Sequence, residues 1–433
     1  MPCKPRLLGG VKGHNQNKDF LSGKPRPLGG ELHMQRKGNP RGLFFVAGAP
    51  HLLSKEFRMK ENEKERQMIK DVAVKTAQKV VGPRVEEIDA TGEFPRDLVE
   101  AFGKQGLLAV LFPEEYGGTN GDLPSFCLVI EEIAKVSGVS SLLVLAQGVG
   151  AMPIVLAGNP SQQERYLTQI AEQNSLATMA LTEQGEGLET TFAKIRAEKK
   201  GDAYLLNGHQ PFITQGSIAE LYTVFAGTKT DGISAYVVEK GTPGLRFGAK
   251  EDTLGMKGAV MTDVIFENCK IPQANRLGEE GKAWETAERT LTVSRLGAGA
   301  QALGIAQGAM DFAIHYAGER VQFGKPIFSF QAMQFMIADM ATQVEAARAL
   351  VYKAVAQVDA RVKGAEDLAA MAKSFASDVA MKVTTDAVQV LGGYGYMKDY
   401  PVERMMRDAK MTQVQSGSNQ MQRIAVAQRL FQD

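Results

Sequence analysis

The chain has 433 residues, a hydrophobic content of 44% and a formal net charge of +1. That length allows roughly two to four domains, and the near-neutral balance excludes a nucleic-acid surface driven by bulk charge. Cys3, Cys127 and Cys269 and the five scattered histidines have no ligand spacing. Neither a disulfide framework nor a metal centre is therefore expected, and a reducing, cytoplasmic setting is the natural reading.

Charge is unevenly spread along the chain. Residues 1–58 hold 11 Lys and Arg against 3 acids, leaving 39 against 46 for residues 59–433. The basic segment is rich in Gly and Pro and repeats Lys4-Pro-Arg-Leu-Leu-Gly-Gly as Lys24-Pro-Arg-Pro-Leu-Gly-Gly. Such composition buries too little apolar surface to offset its ordering entropy, so a disordered basic tail is expected over 1–58. It lacks the continuous apolar core of a signal peptide. Met59 stands where helical patterning begins and reads as an alternative start.

From 59 to 174 the pattern is helical. Helices are expected over 63–87, 103–111, 126–136 and 142–157, with Pro113-Glu-Glu-Tyr-Gly-Gly118 as a loop. No apolar run reads as long enough to span a bilayer, so no membrane association is expected. Between 175 and 282 the period changes. Tyr204-Leu-Leu, Leu221-Tyr-Thr-Val-Phe, Gly232-Ile-Ser-Ala-Tyr-Val-Val and Val264-Ile-Phe are short runs rich in β-branched and aromatic residues, divided by turns such as Asn207-Gly208. They predict an antiparallel β-domain. Long helices return over 283–433, expected at 283–317, 329–362 and 365–391. The fold class is therefore α+β: an N-terminal α-helical domain, a central antiparallel β-domain and a C-terminal four-helix-bundle domain. No glycine-rich dinucleotide fingerprint follows a strand.

The last fifty residues are the most informative. They contain Gln389-Val-Leu-Gly-Gly-Tyr-Gly-Tyr, then Tyr400-Pro-Val-Glu-Arg-Met-Met-Arg-Asp-Ala-Lys, then Ser416-Gly-Ser-Asn-Gln-Met-Gln-Arg423. Upstream stand Leu181-Thr-Glu-Gln-Gly-Glu-Gly-Leu-Glu189, Phe212-Ile-Thr214, Arg320-Val-Gln-Phe-Gly-Lys325 and Gln331. Each has an ordinary reading alone; Arg320–Lys325, for example, could be a glycine-capped helix end. In this order they resemble the acyl-CoA dehydrogenase family over residues 59–433. The resemblance implies noncovalent FAD between the β-domain and the C-terminal helices. Leu181, Thr182, Phe212 and Thr214 would lie at the flavin ring. Arg320, Phe323, Gln331, Gln389, Gly392 and Gly393 would hold the adenine–diphosphate half, partly across a subunit interface. Ser418 and Gln420 would touch FAD from the last loop. A homotetramer, an acyl-CoA substrate and electron-transfer flavoprotein as electron acceptor are implied as well.

The chain departs from the family where the chemistry is done. The usual glutamate base before the glycine of the last segment is replaced by Ser416, and a hydroxyl is no base near neutral pH without help. A branch of the family seats its base just before the arginine that Arg295 resembles, but that position is Ser294. Leu188 replaces a serine that usually lies along the acyl-CoA site, and Arg295 is a second substrate-site candidate. Glu186, where the family has a small residue, is an alternative base; Glu285 and Glu288 are weaker ones. The backbone donor that polarises the thioester carbonyl survives at Ser416, while general-base catalysis, worth roughly 10²–10⁴ in rate, is lost. Three readings stay open. The first is an FAD-dependent oxidoreductase on an acyl-CoA thioester with altered chemistry, such as cyclic acyl-CoA dehydrogenation or desulfination. The second is an ordinary dehydrogenase or enoyl-CoA reductase with a relocated base. The third is a catalytically silent FAD-binding homologue.

Overall fold

A computed structural model describes residues 63–181, 195–228 and 232–431. The expected tail, 1–58, lies outside the described residues, as do Thr182, Glu186 and Leu188.

Among the described residues the N-terminal block holds α1 (Glu63–Thr76), α2 (Val85–Thr91), α3 (Arg96–Lys104), α4 (Leu123–Ala134), α5 (Gly138–Ala157) and α6 (Pro160–Gln173). The helix expected over 63–87 is broken by a π turn at Ala77–Val81 and a 3-10 turn at Gly82–Arg84. Pro83 has no N–H to continue the ladder there. The helix expected over 103–111 ends at Lys104, because Gly106 turns the chain with φ +71°. Asp122 and Ser137 cap α4 and α5 through their side chains. The sequence reading of membrane-spanning length needs correction. The 20 residues of α5 are long and apolar enough to cross a bilayer by length and composition, and 83% of that stretch is buried inside the protein. It is the central core helix.

The sheet comprises β1 (Ala177–Ala180), β2 (Arg196–Lys200), β3 (Ala203–Thr214), β4 (Leu221–Gly227), β5 (Ile233–Glu239), β6 (Leu245–Phe247), β7 (Met261–Pro272) and β8 (Arg276–Leu277). Their order is β6-β7-β3-β2-β4-β5-β8, with β1 beside β4. Most pairs are antiparallel as expected, but β1 runs parallel to β4. β4 is buried on both faces and β5 nearly so, which is why each reads as a continuous apolar run. The β3–β7 ladder shifts register between Gln210 and Ile213. That irregularity is what aims the end of β3 at the site described below.

The C-terminal block holds α7 (Trp284–Glu319), a small hairpin of β9 (Val321–Gln322) and β10 (Lys325–Pro326), α8 (Gln331–Asp359), α9 (Ala365–Leu391), α10 (Pro401–Thr412) and α11 (Asn419–Leu430). Small residues let these helices approach closely. A Cβ on Gly304 or Gly308 of α7 would overlap the carbonyls of Glu131 on α4 and of Lys135, its C-cap. Beside this contact lies a buried charge cluster. Arg348 on α8 is ion-paired with Glu131, and the Tyr352 hydroxyl donates to Glu131 at 2.6 Å. Burial alone would raise the Glu131 carboxyl, but the charges of Arg348 and Lys135 and these hydrogen bonds outweigh it and hold it at about 2.

Candidate active site

One cavity of about 590 Å³ opens where the three blocks meet. Leu142, Leu145, Ala146 and Val149 of α5 form an apolar wall, with Leu291 and Ser294 from α7. Met179, Leu181 and the end of β3 form another, and the segment from Val414 to Ser418 closes it. The size suits a ligand-binding cleft.

The end of β3 presents an unusual surface. Phe212 has φ +58° and is 60% exposed although it lines the cavity. A bulky residue in the left-handed region is held there by its surroundings, here the register shift of the β3–β7 ladder. The Thr214 carbonyl accepts from Thr178 Oγ1 at 2.8 Å, and Thr214 lines the wall with its hydroxyl unengaged among the described residues.

The opposite side is built from the loop between α10 and α11. Ser416 and Gly417 are both left-handed, at φ +56° and +76°. Several contacts hold this conformation. Ser294 Oγ lies 2.7 Å from Ser416 Oγ. Gln422 Nε2 donates to the Ser416 carbonyl at 3.2 Å, and Lys373 Nζ donates to the Gly417 carbonyl at 2.7 Å. The Gln415 amide donates to Gln301, which in turn donates to Gly138 O and Ser141 Oγ at the start of α5. The backbone N–H groups of Ser416, Gly417 and Ser418 donate to no described group. Among the described residues the wall carries no Asp, Glu, His, Lys or Arg. It can bind, orient and polarise, but it offers no ordinary base.

The sequence candidates separate into two clusters. Leu181, Phe212, Thr214, Ser416 and Ser418 line the first cavity. Arg320, Gly392 and Gly393 line a second, of about 550 Å³. There the Arg320 guanidinium sits 5.0 Å from the Tyr394 ring centre, and a Cβ on either glycine would meet only open space. Phe323 is 92% exposed at the tip of the β9–β10 hairpin. Gln331, Gln389 and Gln420 are exposed and belong to neither wall. Ser294 and Arg320 are 26 positions apart along α7 and its cap, roughly 39 Å at 1.5 Å per residue. Arg295 is buried but is not part of the first wall, and Glu285 and Glu288 are exposed outside it. The sequence reading passes over Gln301, Lys373 and Gln422, and the wall supplied by α5. Lys373 alone carries a signal: it interrupts the apolar face of Ala369, Ala372, Ala376 and Ala380 on α9.

Family models agree with this architecture. The acyl-CoA dehydrogenase N-terminal domain matches residues 63–174, the middle domain 178–269 and the C-terminal domain 281–431. The chain is 46% identical over 378 residues to a cyclohex-1-ene-1-carbonyl-CoA dehydrogenase of Syntrophus aciditrophicus, covering 86% of this chain and 91% of the relative. It superposes with a TM-score of 0.81 on butyryl-CoA dehydrogenase from Megasphaera elsdenii, at 40% identity, covering 87% of this chain and all of that one. It also superposes, with a TM-score of 0.79 at 31% identity, on an acyl-CoA dehydrogenase complexed with FAD from Bacillus anthracis, covering 85% of this chain and 66% of that one. Three domain matches in order, on a helix–sheet–helix fold with its cavity at their junction, place the chain in the acyl-CoA dehydrogenase family, whose members are flavoprotein oxidoreductases.

Proposed function

We propose that the protein is an FAD-dependent oxidoreductase of acyl-CoA thioesters that does not use a carboxylate at either customary seat, and that its substrates are cyclic acyl-CoAs. The observation that carries this reading is the Ser294–Ser416 hydroxyl pair, in a cavity whose described wall holds no carboxylate. The 46% identity to a cyclohex-1-ene-1-carbonyl-CoA dehydrogenase supports the cyclic class.

The residues fit FAD. The exposed face of Phe212 and the free Thr214 hydroxyl suit the flavin ring. The open space at Gly392 and Gly393 beside Arg320 suits a diphosphate, since glycine permits close backbone approach and arginine supplies charge-assisted donors. When bound, FAD supplies the two-electron acceptor. The two clusters are too far apart along α7 for one dinucleotide to reach both within a chain. Each FAD would therefore take its flavin cluster from one copy and its diphosphate cluster from another, in a homotetramer. Electron-transfer flavoprotein is the acceptor proposed for net oxidation.

The chain's own residues then divide the work. The apolar α5 wall holds the acyl group and excludes water. The unengaged N–H groups of the Ser416–Ser418 loop polarise the thioester carbonyl. The Ser294–Ser416 pair presents neutral hydroxyls to the acyl carbons. The proton acceptor is assigned to Glu186.

Anaerobic titration with cyclohex-1-ene-1-carbonyl-CoA, cyclohexanecarbonyl-CoA and octanoyl-CoA tests the reading. Bleaching of the flavin absorbance by a cyclic thioester and not by octanoyl-CoA is expected, and Glu186→Gln should abolish it. Bleaching by octanoyl-CoA at least as fast would favour an ordinary straight-chain dehydrogenase. No bleaching by any thioester would favour a silent binding protein.

A further inference from the structure

We propose that Lys373 is a positioning residue for the carbonyl-binding loop: its buried ammonium holds the Gly417 carbonyl away from the acyl site, keeps the loop's N–H groups available to the thioester oxygen, and adds positive charge behind them. This rests on the reading that the cavity takes an acyl-CoA thioester.

Lys373 has no exposed surface, and it stands on α9 among alanines. Burying an ammonium is costly unless hydrogen bonds compensate it. Two of its contacts tie it to the loop and to the helix that follows: Nζ donates to Gly417 O at 2.7 Å and to Asn419 Oδ1 at 2.9 Å. Asn419 is itself fixed, accepting from Ser377 Oγ at 3.0 Å and donating to Asp378 at 2.8 Å. The ammonium is thus anchored on a rigid neighbour as well as on the loop.

Peptide geometry gives the clamp its consequence. In a trans peptide the N–H points opposite to the preceding C=O. Holding the Gly417 carbonyl on the lysine side turns the Ser418 N–H the other way. The Gln422 bond to the Ser416 carbonyl does the same for the Gly417 N–H. Both residues line the cavity, and neither N–H has a described acceptor. Successive unengaged N–H groups in a turn can form an anion-binding concavity.

The test compares two ligands that differ only at the carbonyl: benzoyl-CoA, whose aromatic ring cannot be dehydrogenated, and S-benzyl-CoA, with CH2 in place of C=O. Binding to the FAD-loaded protein is measured by calorimetry. Wild type should prefer the thioester by roughly ten-fold or more, the size of one charge-assisted hydrogen bond. Lys373→Met should shrink that preference to about three-fold or less, by weakening benzoyl-CoA alone. Lys373→Arg should restore part of it. A purely structural role would weaken both ligands equally, and an undiminished preference in FAD-loaded Lys373→Met would overturn the proposal. Should that variant not hold FAD, Asn419→Ala keeps the lysine but removes its anchor. It must narrow the preference, and an unchanged preference again overturns the proposal. Wild type binding both ligands equally would remove the lysine's role and leave the acyl-CoA reading intact. Wild type binding neither would remove both.

Discussion

Ser294 and Ser416, 122 positions apart in the chain, bring their hydroxyls to 2.7 Å. Under the proposed function they stand at the two seats expected for a carboxylate base, so each seat holds a hydroxyl bonded to the other. In such a pair one hydroxyl donates to the other, and one O–H remains to serve a ligand. The pair is neutral across the pH range of enzyme assays, so it brings neither charge nor an ordinary base to the described wall.

Ser416→Glu tests this directly. The backbone at 416 is already left-handed, so the substitution adds little new backbone strain. Ser294 remains to donate to the new carboxylate. Dehydrogenation of a linear saturated acyl-CoA should rise by roughly 10²–10⁴-fold over wild type, the usual contribution of a positioned general base. The check is the initial rate with octanoyl-CoA and an artificial electron acceptor. A variant that binds FAD and octanoyl-CoA yet gains nothing would show that the α-carbon does not lie beside this loop.

Much of the fold is legible in the sequence, because the period of apolar residues changes from helical to alternating and back, and the motif order reinforces it. The glycines and arginine of the second cluster are legible for a similar reason: local chemistry marks them. The missing parts are non-local. Nothing near Ser294 announces that it bonds to Ser416. Lys373 resembles any helix-surface lysine until its face is seen to be apolar. The register shift that presents Phe212 depends on pairing with β7. The division of the candidate cofactor residues into two clusters follows from the unbroken length of α7, which the sequence pattern indicates but does not connect to reach.

Glu131→Gln should be among the most destabilising single changes that leave the cavity untouched. It would remove the buried counter-charge of Arg348, leaving it only the more exposed Glu345 at 3.3 Å, and would replace the charged acceptor of Tyr352 by a neutral amide oxygen. Breaking one partner of a buried pair costs about 3–5 kcal/mol. The sign with pH is defined, because the Glu131 carboxyl is held below its ordinary value, at about 2. Its contribution is full above the unfolded carboxyl range, near pH 4.5, and fades as pH falls towards 2. Melting curves at pH 7 and pH 4 should therefore show a larger deficit at pH 7. An equal deficit at both would place the cost in packing.

Asp408 should act in the opposite sense. It is buried on α10 against the 253–258 segment, accepting from the Met256 N–H at 2.5 Å. Burial lifts its carboxyl to about 6, against the pull of that hydrogen bond and of Arg404 and Arg407. A folded value above the unfolded one means that the folded protein holds the proton more tightly, so stability from this group falls as pH rises from about 4 to 6. Asp408→Asn keeps an acceptor for Met256 and removes the titration. Its stability relative to wild type should improve between pH 4 and pH 7, by up to roughly 3 kcal/mol at 1.36 kcal/mol per pKa unit. The measurement is chemical denaturation across that range. A difference that stays flat with pH would mean that Asp408 is ionised throughout.

Arg320→Ala should separate cofactor retention from the acyl site. Arg320 stands with Gly392 and Gly393 at the second cavity, roughly 39 Å along α7 from Ser294. If those residues hold the adenine–diphosphate half of FAD donated from another copy, wild type should release FAD and not FMN on denaturation. The variant should then lose FAD on gel filtration, with at least about a ten-fold weaker Kd, the value of one or two charge-assisted bonds to phosphate. Mixing adds a sharper criterion. Combining Arg320→Ala with Phe212→Ala in one assembly places an intact flavin cluster from one copy against an intact diphosphate cluster from the other. Mixed assemblies should recover part of the FAD content that each variant loses alone. Recovery would not occur if both clusters served the same FAD within one chain, and FMN in the wild-type extract would remove the role of Arg320 altogether.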